Sequence, residues 1–332
     1  MTLFRRRAIY RTFFIISLWT AALTSIAWAA EAESLDARVR RLAAEIAAQP
    51  GDHASLERFY SLLDLRKFTD VPQTIDALCS RLLVSPKSGF EVRQLAAWCV
   101  HEAAWTTGEP EAIAAALAPM GIVTRWLVAG PFDNEGGVGF DAVYPPEQGY
   151  DPEATMDGKE RPVSWRSFPD VNRLTGYQDF ADVYTSSTQS VAYAWGRVFA
   201  PRAMSAVLLI GSGGSLKAWL NGRLAAAWPE DRPARRWQSA YRVNLKKGVN
   251  DILVKVGGRE ADWGFRLALL DRAGRPLKGL AGLQDDAEAQ RRASFPAGAL
   301  AWALTGEKPA KPLLLTVERL AGRYDKQPDA AL

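Results

Sequence analysis

The sequence predicts an α+β, multidomain chain: N-terminal helical hairpins of α-solenoid type, then an antiparallel β-sandwich, then a short helical tail. Three observations predict it. Apolar residues recur at helical spacing from residue 34 to about 120. From residue 122 short β-branched and aromatic runs alternate with turn residues at regular intervals, as in an all-β sandwich or barrel. Helical spacing then returns at 284–293 and 308–323. The expected domains are a targeting segment (1–30), a helical domain (31–121), a β-sandwich (122–282) and the tail (283–332).

Arg5, Arg6, Arg7 and Arg11 precede TFFIISLWTAALTSIAWAA (12–30), which carries no charge and ends in Ala27-Trp28-Ala29. A basic start, an apolar run and an A-x-A end read as a secretory signal peptide. The rival is an uncleaved anchor, since the run approaches the ~20 residues that span a bilayer. The small-residue end favours cleavage, because a peptidase needs it and an anchor does not.

Cleavage changes the charge balance. The chain has 41 Lys+Arg against 37 Asp+Glu; removing four arginines and no acids leaves 37 against 37. A nucleic-acid surface rests on excess positive charge and so loses its support. The local basic run RPARR (232–236) reads as a solvated loop. Export permits a disulfide between Cys79 and Cys99, which fall on neighbouring predicted helices, but two small buried thiols is the preferred reading. With His53 and His101 they show no zinc spacing.

In order, SLDARVRRLAAEIAAQPG opens with Ser34 as N-cap and places Leu35, Val39, Leu42 and Ile46 on one helix face. The stretch 53–67 continues with Leu56, Phe59, Tyr60 and Leu63, and 71–86 with Val71, Ile75, Leu78 and Leu82. A fourth helix is expected over 90–105 and a shorter fifth over 110–121. Short polar breaks favour antiparallel neighbours, and no strict repeat motif is visible. Strands are expected at 122–132, 162–168, 190–200, 206–211, 215–220, 223–228, 239–245, 250–256 and 263–271. Asn221-Gly222, between two apolar runs, signals a two-residue hairpin turn whose central residues both need φ > 0. Gly248 suits the connection Lys246–Asn250, and the Asn250 side chain suits capping of that loop. Leu216, Ala218 and Leu220 point to one face of their strand and Lys217 and Trp219 to the other, as in a sheet with one face on a core. The chain stops at PDAAL without an obvious terminal element, as the front part of a longer protein would.

The pair WLNG (219–222) and LKKGVNDILVKV (245–256) resembles the galactose-binding-like jelly roll, the sugar-binding domain of many glycoside hydrolases. With WLVAGPF (126–132), PPE (145–147), Trp165, AYA (192–194) and WGF (263–265), roughly 122–280 resembles the glycosyl-hydrolase-like β-sandwich of exported bacterial tetratricopeptide-repeat proteins. Some of those continue into a transglutaminase-like domain, of which no catalytic segment is visible here. The resemblance implies an accessory rather than a catalytic module, although one fold hosts many functions.

Nucleophilic catalysis needs Ser or Cys beside a base. His101 follows Cys99 by two residues, so their helical side chains diverge. GSGGS (211–215) lacks the lysine and helix of a phosphate loop and reads as a turn. Glycosidase chemistry needs two carboxylates facing across a cleft, which a sequence does not establish. Two binding ideas remain. Seven of the twelve tryptophans lie between 126 and 263, and Trp237 and Trp263, beside polar residues near loops, are the expected exposed glycan platforms. Asp133, Asn134, Glu135 and Asp141 set hard oxygens among glycines, which suits Ca²⁺ without EF-hand spacing.

The expectation is an exported, non-catalytic scaffold or interaction protein; the alternative is a cell-envelope carbohydrate-binding module. Expected partners are a protein or an envelope glycan, with the membrane met only through an uncleaved N-terminal segment. A concave sheet face of exposed aromatics would favour the glycan. A sheet face covered by helices would favour the scaffold.

Overall fold

The structure, a computed structural model, describes residues 33–51, 53–185, 188–258 and 263–282. The expected targeting segment and tail helices lie outside these residues. The chain divides into two compact units, up to Leu78 and from Cys79 onward. The helices expected at 90–105 and 110–121 thus belong with the sandwich, whereas the sequence placed the boundary at 121.

The first unit holds α1 (Leu35–Ala48), α2 (His53–Leu65) and the start of α3 (Pro72–Val84). The Ser34 hydroxyl caps α1 by accepting from the Ala37 amide at 3.2 Å. Val39, Leu42 and Ile46 of α1, Leu56, Phe59 and Leu62 of α2, and Ile75 and Leu78 of α3 are buried. Asp36 in the first turn of α1 accepts from the Thr69 hydroxyl (2.6 Å) and the Asp70 amide (3.1 Å), fixing the loop into α3.

In the second unit, α4 (Phe90–Trp105) and α5 (Pro110–Ala116) lead into the strands. These are β1 (Leu127–Asp133), β2 (Met156–Asp157), β3 (Pro162–Val163), β4 (Arg166–Ser167), β5 (Gln178–Asp179), β6 (Ser190–Ala200), β7 (Met204–Gly213), β8 (Ser215–Leu220), β9 (Arg223–Trp228), β10 (Ser239–Leu245), β11 (Gly248–Gly258), β12 (Gly264–Leu270) and β13 (Ala281–Gly282). A short helix α6 (Asp170–Thr175) precedes β5. The expected strand over 162–168 is broken into β3 and β4, and α6 and β5 carry no periodicity long enough to read.

The strands form a sandwich. One sheet runs β4-β1-β6-β11-β8-β9, with β13 also on β6; the other runs β10-β7-β12-β5. Every pairing is antiparallel. Gly214 (φ 90°) passes the chain from β7 in one sheet to β8 in the other; a Cβ there would meet the Gly257 carbonyl oxygen at 2.1 Å. Between the sheets lie Ala192, Ala194 and Val198, Leu208 and Ile210, Leu216, Ala218 and Leu220, Ile252, Val254 and Val256, closed by Trp126, Phe180, Trp263 and Phe265. The period-2 alternation on β6, β8 and β11 sends these residues inward.

The opposite faces are also covered. Outside the larger sheet, Tyr193, Trp195, Trp219 and Leu253 pack beneath Tyr144, Tyr150, Met156, Val163 and Trp165 of the long β1–β4 connection. Outside the smaller sheet, Val207, Leu209, Ala240, Ala268 and Leu270 meet Phe90, Ile122 and Trp237. Helix α4 is fastened there by polar contacts. Arg93 Nε donates to the Ala273 carbonyl at 3.1 Å, Gln94 Nε2 to the Gly274 carbonyl at 2.8 Å, and Arg236 pairs with Glu102 at 2.8 Å. The sequence pattern suggested one covered face per sheet; here much of each outer face is covered as well, leaving Ser205, Arg242 and Asn244 of the smaller sheet and Phe199 of the larger exposed.

Candidate functional site

The hairpin turn and the β10–β11 turn are one hydrogen-bonded unit. Asn221 and Gly222 sit at φ 51° and 81°, and Gly248 at 90°. Asn221 Nδ2 donates to Asn250 Oδ1 at 2.8 Å, and Asn221 Oδ1 accepts from the Asp251 amide at 3.1 Å. Asn250 Oδ1 also accepts from the Lys246 amide (2.9 Å), while its Nδ2 donates to the carbonyls of Lys246 (2.9 Å) and Gly248 (3.0 Å). WLNG and KKGVN, distant in sequence, thus form a structural clasp.

The glycan platform expected at Trp263 is corrected. Trp263 is 1% exposed, its Nε1 donates to the Val256 carbonyl at 2.9 Å, and its ring lies against Phe180 and Tyr184. The polar neighbours in sequence misled, because the indole turns into the space between the sheets. Trp237 is half-buried against the outer face of the smaller sheet rather than free for stacking.

The calcium expectation is corrected as well. Asn134 is buried, and its Oδ1 accepts from the Gly139 amide at 3.0 Å. Asp133 and Glu135 lie near Lys159 (3.6 and 3.8 Å), while Asp141 turns to Lys217 at 3.3 Å. The 3₁₀ segment Glu135–Phe140 carries Asp141 away from the other two acids. Among the described residues no three His, Cys, Asp or Glu side chains converge to hold a metal.

Three buried polar clusters were not anticipated. Lys255 is 1% exposed; its Nζ donates to the Phe140 (3.1 Å) and Ala142 (2.6 Å) carbonyls and pairs with Glu147 at 2.8 Å. Tyr193 donates its hydroxyl to the same Glu147 oxygen. Burial lowers the Lys255 pKa against the opposing pull of Glu147, and burial beside that carboxylate raises the Tyr193 phenol. Arg197 and Asp251, register partners on β6 and β11, form a second buried pair at 2.9 Å, with the guanidinium over Trp195. The third cluster surrounds His101, whose Nε2 donates to the Leu174 carbonyl at 2.8 Å between Trp98 and Trp105. An alternating pattern signals that Lys255 and Tyr193 share the outer face, but not that the β1–β4 connection folds over it. His53 is exposed near Glu57 at 3.9 Å, and Cys79 and Cys99 are buried thiols with no disulfide between them.

Where β7 hands over to β8, a recess of about 290 Å³ is lined by Asn134, Gly137, Ser215, Pro229, Glu230 and Asp231. Sequence reasoning singled out Asn134 there for another reason and missed the rest, because they come from separate turns. No described helix is long and apolar enough to cross a membrane.

No protein-family profile and no curated protein matches the chain. Among solved structures it is similar to a family 35 carbohydrate binding module from an environmental isolate, at 13% identity, 49% of this chain, 91% of that one and TM-score 0.23. It is also similar to the β-glucosidase of Kluyveromyces marxianus (12% identity, 44% of this chain, TM-score 0.28), of which it spans 16%. The PA14 domain of the antifreeze protein MpAFP matches at 14% identity over 24% of this chain and 42% of that one, with TM-score 0.22. These likenesses carry no argument about function; the β-sandwich stands on its own strand pairings.

Proposed function

We propose that the chain is an exported, non-catalytic interaction module whose enclosed sandwich presents its loops to a partner. The observation that carries this reading is the enclosure itself. Much of both outer sheet faces is covered by the chain's own segments, and Lys255, Glu147, Tyr193, Arg197 and Asp251 are spent in buried contacts beneath them. Helix α4 on the smaller sheet is the arrangement that favours a scaffold over a sugar-binding face. Export rests on the four arginines, the uncharged run 12–30 and the A-x-A end. Continuation into a tetratricopeptide-repeat protein rests on the sequence resemblance alone.

Photo-crosslinking in the native cell envelope tests the reading, with the reactive group at Val138 and Val143, which are 61% and 44% exposed. One discrete protein adduct is expected. Absence of any adduct, or turnover of chromogenic glycosides or esters that Asp231→Asn abolishes, would overturn it. The second reading is a cell-envelope carbohydrate-binding module, favoured by one observation, the acid-lined recess at Asn134, Ser215, Glu230 and Asp231.

A further inference from the structure

We infer that this recess is a binding site for a single sugar ring at the end of a glycan; the inference rests on the second reading above and names its site. The recess is built over a glycine. An ideal Cβ on Gly257 would lie 2.6 Å from Ser215 Oγ and 3.2 Å from Asn134 Nδ2, so the two side chains converge where β11 has no side chain. Gly214 adds a third approach: a Cβ there would lie 3.2 Å from Asp231 Oδ1. Three turns distant in sequence therefore bring a hydroxyl, an amide and a carboxylate to one place, with Glu230 beside them.

Ser215 supplies the independent sign of a ligand. It is 7% exposed and lines the recess, yet its hydroxyl has no hydrogen-bond partner among the described residues. Its oxygen is not among the fully buried unpartnered atoms, so it opens onto the recess and is available to a group that enters there. Asn134 Nδ2 reaches only the Gly258 carbonyl, at a long 3.4 Å, and so retains donor capacity toward the recess.

The chemistry selects a polyol. Two carboxylates accept, an amide donates, and a serine hydroxyl does either, which matches neighbouring ring hydroxyls that are each donor and acceptor. Pro229 offers an apolar surface to the ring's C–H face. The volume, about 290 Å³, lies at the small end of ligand pockets and suits one ring rather than an extended chain. A cation fits less well, because Glu230 and Asp231 are the acids of the lining and no third metal-ligating side chain joins them.

Isothermal titration of the full chain tests the site, using glucose, galactose, glucosamine and N-acetylglucosamine as probes and calcium chloride as a separate arm. At least one sugar is expected to saturate the wild type. Ser215→Ala and Glu230→Gln should each weaken it about tenfold, the loss of about 1.4 kcal/mol. Gly257→Ala should abolish it by filling the floor. Should Gly257→Ala fail to fold, Ser215→Ala and Glu230→Gln, with melting curves matching wild type, still decide the question. Sugar binding unchanged in both would overturn this site and leave the glycan reading standing. Binding of none of the four sugars would overturn both, and calcium binding lost in Glu230→Gln without sugar binding would make the recess an ion site.

Discussion

Asn221, in the β8–β9 hairpin turn, and Asn250, beside the turn that passes from β10 in one sheet to β11 in the other, join side chain to side chain through a 2.8 Å hydrogen bond. Asn250 is fully buried and satisfies every donor and acceptor of its amide. Asn250→Ala leaves the Lys246 amide and two carbonyls without it, at a cost of roughly 2–3 kcal/mol. Asn221→Gly keeps the positive φ and removes only the side chain, separating backbone preference from clasp. A double-mutant cycle by urea denaturation should give a coupling of about 0.5–3 kcal/mol between the two sites. Additivity would show that the turns act independently.

Lys255 presents a second test. Its ammonium is held by two carbonyls and Glu147 beneath the β1–β4 connection. Lys255→Met strands the Glu147 carboxylate in a buried site, and removal of one partner of such a pair costs about 3–5 kcal/mol. The double variant Lys255→Met, Glu147→Gln should recover part of that loss, because the uncompensated charge is gone. Denaturation midpoints of the two variants check the order. A double variant less stable than the single would show that the Glu147 carboxylate is held by groups other than Lys255, the Tyr193 hydroxyl first among them.

Gly196 on β6 faces Trp126. A Cβ there would come within 2.8 and 2.9 Å of the indole atoms Cε3 and Cζ3. Trp126 is pinned by its Nε1, which donates to the Val123 carbonyl at 2.8 Å, and by edge contact with Phe265. The ring has little freedom to withdraw, so Gly196→Ala should destabilise by about 1–3 kcal/mol. Thermal melting with tryptophan emission checks both the loss and the displaced ring.

These residues also show what is legible in a linear chain. The periods of 3.6 and 2 marked α4, β6, β8, β9 and β10 to their ends, because each is long enough for its apolar residues to repeat. Asn-Gly marked a turn because the φ requirement is local. The enclosure of the outer faces was not legible. Lys255 and Trp219 look like solvent-facing positions until the segment from Tyr144 to Trp165, which lacks a long repeating element, folds across them. Trp263 reads as exposed for the same reason: adjacent residues in sequence say nothing of the layer into which a ring turns. The recess depends on three separate turns meeting over Gly257 of β11, a relation that no local pattern carries.

His101 makes the docking of α4 sensitive to acid. A carbonyl only accepts, so Nε2 carries the proton shared with Leu174, and Nδ1 is left as a buried acceptor without a partner among the described residues. Protonation would add a donor at Nδ1 with nothing to receive it, in a setting that includes Arg266 and Arg236 as well as Glu102. Burial, first, and then the arginines lower the His101 pKa below its ordinary 6.5; the Leu174 bond and Glu102 oppose them. The unfolded chain therefore binds more protons than the folded one below about pH 6.5, and stability falls as pH drops through that value. The loss levels off once the folded-state pKa has been passed. His101→Gln keeps a donor for Leu174 and removes the titration. Melting temperatures of wild type and variant, measured from pH 7.5 to 5 (about the window that histidine titration covers), should diverge in slope only below about 6.5. Parallel slopes throughout would show that His101 is not the group that titrates. Loosening of α4 would also appear as lower amide protection factors, with the intrinsic pH dependence of exchange divided out, at Trp98 and Glu102 in acid, on the face that carries His101 against Leu174.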